Sequence, residues 1–123
     1  MLIQLKTYSS NIIAIDVLES FTEVDEQYLR KLFKEKLEES YDKLNLLIKL
    51  DEGKIPEVHL NVFFEHLHFI ANNVKHVHHL ALVAHSKTVA HLVPLIQKIT
   101  HTGEKRYFDL SEIDEAFLFV ETV

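Results

Sequence analysis

The amino-acid sequence predicts an α/β fold built on a five-stranded, mixed and mostly parallel sheet. Short apolar runs rich in β-branched residues alternate with longer segments of helical periodicity, in the order β-β-α-β-α-β-α-β-α. The length of 123 residues predicts a single domain over residues 1–123. Hydrophobic residues make up 47% of the chain, which has only two Gly and two Pro, and this composition argues against disorder and against a loop-rich all-β fold.

The chain is predicted to begin with an antiparallel hairpin followed by a helix. Residues 1–7 alternate apolar and polar side chains, and residues 12–18 are rich in Ile and Val. The Tyr-Ser-Ser-Asn segment at 8–11 predicts the turn between these two strands. A helix is predicted to follow over about 22–42, because a Thr N-cap with Asp three residues later precedes Leu and Phe at helical spacing.

The middle of the chain is predicted to form a strand, a helix and a strand. The apolar run at 44–50 predicts a strand, and the Asp-Glu-Gly-Lys segment at 51–54 predicts a turn. Pro56 suits the first turn of a helix that runs to about Lys75. A second apolar run at 77–84 predicts the fourth strand, and a helix between two parallel strands implies a right-handed crossover.

The last part of the chain is predicted to contain a helix, a short strand and a final helix. Ser86 is placed as the N-cap of the third helix, which Pro94 is expected to kink or divide and which the Thr-Gly pair at 102–103 is expected to end. The fifth strand is predicted over 105–108. The last helix is predicted over 111–120, with Ser at its cap and Asp114 in the capping-box position.

Composition and charge exclude several classes of protein. Acidic residues outnumber basic ones 19 to 13, and the net charge of −6 argues against a general nucleic-acid binder. The absence of cysteine excludes disulfides and thiol catalysis. The first residues lack the layout of a signal peptide, and no apolar run approaches the roughly 20 residues of a spanning helix. A cytoplasmic protein without integral membrane association is therefore expected.

The sequence resembles the small bacterial SpoIIAA-like proteins, which have a STAS-like fold related to the lipid-binding CRAL-TRIO domain. Four segments carry the resemblance, and they are Asn11–Ile15, Leu46–Asp51, Leu80–Ala84 and Arg106–Phe108 with the following Ile113–Ala116. The resemblance implies a five-stranded mixed sheet with helices packed against it. It also implies a phosphorylation switch at the start of the helix after the third strand, as in the anti-sigma antagonists of this fold. No Ser or Thr occurs between Ser40 and Ser86, so this chain lacks the phosphoacceptor.

The carboxyl ends of the predicted strands are the expected place for a catalytic or binding site, because open parallel sheets bind ligands there. The polar residues at these ends are Glu19, Asp51, Glu52, His85, Ser86 and Asp109. Their acidic character disfavours phosphate ligands, and the only glycines, Gly53 and Gly103, form no nucleotide-binding loop. Adjacent strand residues point to opposite faces, which disfavours a triad of His85 and Ser86 with an acid. No catalytic residue and no cofactor are predicted.

The chain contains nine histidines, two of which are candidate metal ligands. His76 and His78 are two residues apart at the start of the fourth strand, so both rings could point to one side and chelate a metal ion. No motif supplies a third ligand, and a polar entry to an apolar strand explains the pair equally well. No metal site is therefore predicted, and the pair remains a weak candidate.

The predicted second helix is apolar on two sides, which indicates a binding surface. One stripe is the expected core, and the opposite side carries Val58, Val62 and Phe69, with His59 and His66 along the border between the two. Such a helix needs a second cover, which could be another helix of the fold, a second subunit or an apolar small molecule.

Self-association is the favoured alternative, and the chain is predicted to be a non-catalytic interaction or regulatory module that forms a homo-oligomer, most simply a dimer. The other hypotheses are a carrier or sensor of a lipid-like apolar molecule, and an assembly that dissociates when His59 and His66 are protonated.

Overall fold

The computed structural model of the protein describes residues 1–7, 11–39, 43–74, 76–85, 89–99 and 102–121. The strands are β1 (Leu2–Gln4), β2 (Ile12–Val17), β3 (Lys43–Leu50), β4 (His76–Ala84) and β5 (Thr102–Asp109). The helices are α1 (Glu23–Glu38), α2 (Glu57–Asn72), α3 (Val89–Gln97) and α4 (Ile113–Glu121). Short 3₁₀ turns cover Glu52–Lys54 and Leu110–Glu112.

The strands form one mixed sheet in the order β1-β2-β3-β4-β5. The strand β1 pairs with β2 in antiparallel fashion, with Leu2 opposite Val17, and the other neighbouring strands are parallel. The predicted α/β class, the mixed sheet and the N-terminal hairpin are confirmed.

The two faces of the sheet have separate hydrophobic cores of different size. The larger core packs α1, α2 and α3 against one face, and its sheet residues include Ile15 and Leu46. The smaller core packs α4 against the opposite face, on residues such as Leu47 and Val83. Alternation along each strand sends neighbouring residues to opposite faces, so both cores draw on the same strands.

The N-terminus of α1 is capped as predicted. The backbone N–H and the hydroxyl of Thr22 donate to Oδ2 of Asp25 at 2.8 and 3.0 Å. The other carboxylate oxygen of Asp25 accepts the backbone N–H of Leu2 at 3.0 Å, so this cap also joins α1 to the first strand.

Three predictions at the C-terminal end of the chain were wrong. The helix α3 continues through Pro94 and is not divided there. The strand β5 begins at Thr102, so the Thr-Gly pair starts a strand and does not end a helix; a Cβ on Gly103 would lie only 2.6 Å from the backbone oxygen of His78. The last helical segment is capped by Asp109, whose side chain accepts the Ser111 backbone N–H at 3.0 Å, and not by Ser111 with Asp114.

Several predictions lie outside the described residues. These are the turn residues 8–10 and the Ser86 cap. The first two helices end earlier than predicted, because α1 stops at Glu38 and not at about residue 42, and α2 stops at Asn72 and not at about Lys75. Among the described helices, none combines the length and the apolar character needed to cross a membrane.

Candidate functional site

The predicted binding surface on α2 is partly covered by the neighbouring helix α1. The backbone N–H of Phe21, just before α1, donates to Nδ1 of His59 at 3.0 Å. The Nδ1 atom of His66 lies 3.3 Å from Oε1 of Glu26 on α1, and Val62 is half-buried against the larger core. These three predicted surface residues therefore belong to the packing of α1 on α2.

The two remaining residues of the predicted surface stay exposed. The side chains of Val58 and Phe69 are 71% and 60% accessible to solvent. The Arg30 guanidinium lies over the Phe69 ring, 5.7 Å from its centroid, and covers only one side of it. Phe69 is thus the largest exposed apolar side chain on the outer face of α2.

Phe69 borders a groove of about 440 Å³ between the C-terminal halves of α1 and α2. The apolar side chains that line this groove are Phe33, Leu37, Phe69 and Ile70. The charged residues Arg30, Lys34 and Glu38 also line it. We call this groove, with the exposed residues Leu37 and Phe69, the α1–α2 groove.

A contact between a histidine and an aspartate lies at the carboxyl ends of the central strands. The Nε2 atom of His85, after β4, lies 3.3 Å from Oδ1 of Asp51, after β3. The same carboxylate accepts the Gly53 backbone N–H at 3.2 Å and lies 3.8 Å from the Lys54 ammonium. Ser86 is outside the described residues, so the structure brings together only the His and the Asp of the disfavoured triad.

The histidines at the start of β4 form an aromatic stack. The ring of His78 stacks on that of His79 at 4.2 Å between centroids, and His79 stacks on Phe119 of α4 at 4.4 Å. The backbone of His76 lies in β4, but its side chain is outside the described residues. Among the residues that the structure describes, no three His, Cys, Asp or Glu side chains are grouped so as to hold a metal ion.

The surroundings of His79 lower the pKa of its ring below the ordinary histidine value. Burial lowers the pKa of its ring and the neighbouring His78 lowers it further, while the Phe119 backbone and the Glu104 carboxylate raise it by less. The Nε2 atom lies 3.8 Å from Oε2 of Glu104 on β5. The stacked rings lie between β4 and α4, beside an open groove of about 740 Å³ that Arg106 and Glu112 also line.

Two features on the α4 face were not predicted from the sequence. Asn45 is buried in β3, where its Nδ2 donates to the Val120 carbonyl of α4 at 2.6 Å and its Oδ1 accepts the His79 N–H at 3.0 Å. A groove of about 610 Å³ lies on the other side of α4 from the stack, and it is lined by Lys6, Asp114, Phe117, Leu118 and Glu121. We call it the α4 groove.

Comparison with known protein families gives one match, to the SpoIIAA-like family over residues 12–121. No curated protein and no solved structure matches the chain. The family match spans β2 to α4, which includes the four parallel strands and all the helices described above. The chain therefore belongs to the SpoIIAA-like family, which indicates a regulatory or interaction module of STAS-like fold.

Proposed function

We propose that the protein is a non-catalytic interaction module that self-associates through the α1–α2 groove. The observation that carries the proposal is the exposure of Phe69, a large aromatic side chain 60% accessible to solvent at the edge of an apolar groove. Aromatic side chains that dock into pockets are typical anchors of protein interfaces. A second copy of the chain would bury both the ring and the groove.

The charges around the groove favour a second copy as the occupant. In a twofold dimer the same patch meets itself, so a patch with both signs of charge can pair with its own copy. Arg30 and Lys34 line the groove on α1, and Glu65 is exposed one turn before Phe69 on α2. Antiparallel apposition of two α2 helices would bring the Glu65 of each copy towards the basic residues of the other.

The proposed surface is narrower than the one expected from the helical pattern. Three of the predicted residues pack between α1 and α2 and are not part of the exposed surface, and these are His59, Val62 and His66. The exposed part consists of Phe69 and the α1 residue Leu37, whereas Val58 is exposed on the first turn of α2, outside the groove. The proposed role needs no phosphorylation, because the family's switch segment has no Ser or Thr in this chain.

Sedimentation velocity of wild type, Phe69→Glu and Val24→Glu tests this proposal. Val24 lies on the first turn of α1, outside the groove, and is 74% exposed, so Val24→Glu introduces the same charge on the same side of the molecule. We expect the wild type and Val24→Glu to be dimers and Phe69→Glu to be a monomer, because a charge at the contact must be desolvated. A wild type that stays monomeric at high concentration, or a Phe69→Glu protein that stays dimeric, contradicts the proposal.

A second candidate function is a carrier or sensor of a lipid-like apolar molecule. It is favoured by the buried apolar side chains Phe33 and Ile70, which line the same groove. Native mass spectrometry of freshly purified protein distinguishes the two candidates. A carrier retains an added mass of an acyl species, whereas a self-associating module gives only multiples of the chain mass.

A further inference from the structure

The α4 face of the sheet is only partly covered. Five strands spaced by about 4.8 Å make a sheet roughly 19 Å wide between its outer strands, whereas a helix with its side chains is about 10–12 Å across. Among the described residues, the opposite face has three helices and this face has one, α4, which packs on β3, β4 and β5 and shares its core with Ile12 and Ala14 of β2. The part of this face that lacks a helical cover therefore lies over β1 and the end of β2 at Asp16.

The α4 face carries both charged and apolar side chains outside the cover of α4, and the Lys49 ammonium of β3 lies 3.1 Å from Oδ2 of Asp16 of β2 there. Ile3 of β1 lies opposite Asp16 of β2 and points to the α4 side of the sheet, and it is 40% exposed. Leu118 is 70% exposed on α4, and with the half-buried Phe117 it forms the apolar wall of the groove. The groove follows α4 along its length, because Asp114 and Glu121 both line it.

We propose that the α4 groove is a docking site for an amphipathic helix of a partner protein that carries Lys or Arg beside its apolar stripe. A helix laid beside α4 would bury Leu118 and extend the helical layer of this face towards β1, where Ile3 is exposed. The nine residues of α4 extend over about 13.5 Å, so the groove matches about two and a half turns of such a helix. Docking of an apolar helical stripe into a groove is a recurrent mode of peptide recognition.

The charge of α4 identifies the partner as basic and as a protein other than a second copy. The helix carries Asp114, Glu115 and Glu121 and has no Lys or Arg, and among the described residues that line the groove Lys6 alone is basic. Two copies meeting through α4 would bring these acidic residues into apposition, which is unfavourable. The α4 groove therefore differs from the α1–α2 groove, whose mixed charges suit a second copy, and the two proposals are independent.

A fluorescein-labelled synthetic helical peptide, with Leu on one face and Lys on the other, serves as the probe. We expect saturable binding to the wild type by fluorescence anisotropy, with a dissociation constant raised about tenfold or more in Leu118→Glu. The matched variant Val24→Glu, on the three-helix face, should bind within about twofold of the wild type. In a ¹⁵N-labelled sample, the peptide should shift the amide resonances of β1 and α4.

Three results would overturn the proposal: no saturable binding, equal weakening in Leu118→Glu and Val24→Glu, or resonance shifts confined to α1 and α2. Concentration-dependent shifts of α4 resonances without peptide would instead identify a second copy as the occupant and also overturn it. Because Leu118 is exposed, its substitution should leave the unfolding midpoint unchanged. Should Leu118→Glu fail to fold, Asp114→Lys supplies the second variant, with the same expected loss of binding.

Discussion

At the scale of single residues, Asn45 determines how α4 is seated on the sheet. It is the one polar side chain buried in the core of the described chain. Its amide joins three elements, because it lies in β3, donates to the Val120 carbonyl of α4 and accepts the His79 N–H of β4. A buried side chain that satisfies two backbone groups is costly to remove, since both groups lose their hydrogen bonds together.

We expect Asn45→Ala to lower the free energy of unfolding by about 2–4 kcal/mol, because a buried donor and a buried acceptor are left unsatisfied. Urea denaturation followed by far-UV circular dichroism measures this change. The exposed Asn61 of α2 provides the control, and Asn61→Ala should change the unfolding free energy by less than about 0.5 kcal/mol. Equal stability of the two variants would show that the Asn45 amide does not hold α4.

The sequence indicates that Asn45 is buried, but it does not indicate which groups the side chain contacts. A polar residue within the apolar run Leu44–Leu50 indicates a buried side chain that needs hydrogen-bond partners. Its partner carbonyl on Val120 lies 75 positions away along the chain, which no local pattern can show. The same holds for His59 and His66, whose border position on α2 was predicted correctly while their contacts on Phe21 and Glu26 were not.

At the scale of elements, Pro94 lowers the stability of the helix α3. Pro94 lies inside the helix and is exposed, so its ring leaves one backbone carbonyl of the preceding turn without a helical N–H donor. The apolar residues Leu92 and Ile96, on either side of it, are buried in the larger core and keep the helix continuous. Packing of these side chains therefore overrides the local tendency of proline to divide the helix.

We expect Pro94→Ala to raise the free energy of unfolding by about 1–2 kcal/mol, since the regained helical hydrogen bond exceeds the lost rigidity of the unfolded chain. Urea denaturation measures the stability, and hydrogen exchange should show slower exchange in α3. The exposed His91 of the same helix is the matched site, and His91→Ala should have a smaller effect. A destabilised Pro94→Ala protein would indicate that the proline is required for the helix geometry.

Local patterns predicted the existence of the elements better than their ends. The Thr22 and Asp25 capping box was identified correctly, because all the atoms that form it lie within four residues. At the last helix two patterns compete, and Asp109 with Glu112 forms the box in place of Ser111 with Asp114. The start of β5 could not be predicted, because Gly103 is required by the close approach of β4, a neighbour about 25 positions earlier in the chain.

At the scale of the whole molecule, the sheet separates two cores and two candidate binding surfaces. The parallel order was predictable, because consecutive βα units with right-handed crossovers place each strand beside the previous one. The same handedness places α1, α2 and α3 on one face. The side taken by α4 follows no crossover rule, since no strand succeeds it, and its incomplete cover of the second face could not be inferred from periodicity.

The adjacent residues Leu46 and Leu47 of β3 test whether the two cores are energetically separate. Both side chains are fully buried, but Leu46 belongs to the core beneath α1–α3 and Leu47 to the core beneath α4. Truncation to Ala should cost about 2–5 kcal/mol in either case, because each change removes the same apolar volume. The two substitutions should destabilise different parts of the molecule, because packed layers can open as separate cooperative units.

We expect Leu47→Ala to accelerate native-state hydrogen exchange in α4 well before it affects α1 and α2, because the α4 core is smaller and contains the short side chains Ala14 and Ala81. Leu46→Ala should accelerate exchange in the three helices of the other face and in the sheet together. The two variants are matched controls, since they differ only in the face to which one leucine points. Identical exchange patterns would mean that the molecule opens as one unit, so that occupation of the α4 groove would also stabilise the α1–α2 groove. Distinct patterns would mean that the two surfaces can bind their partners without affecting each other.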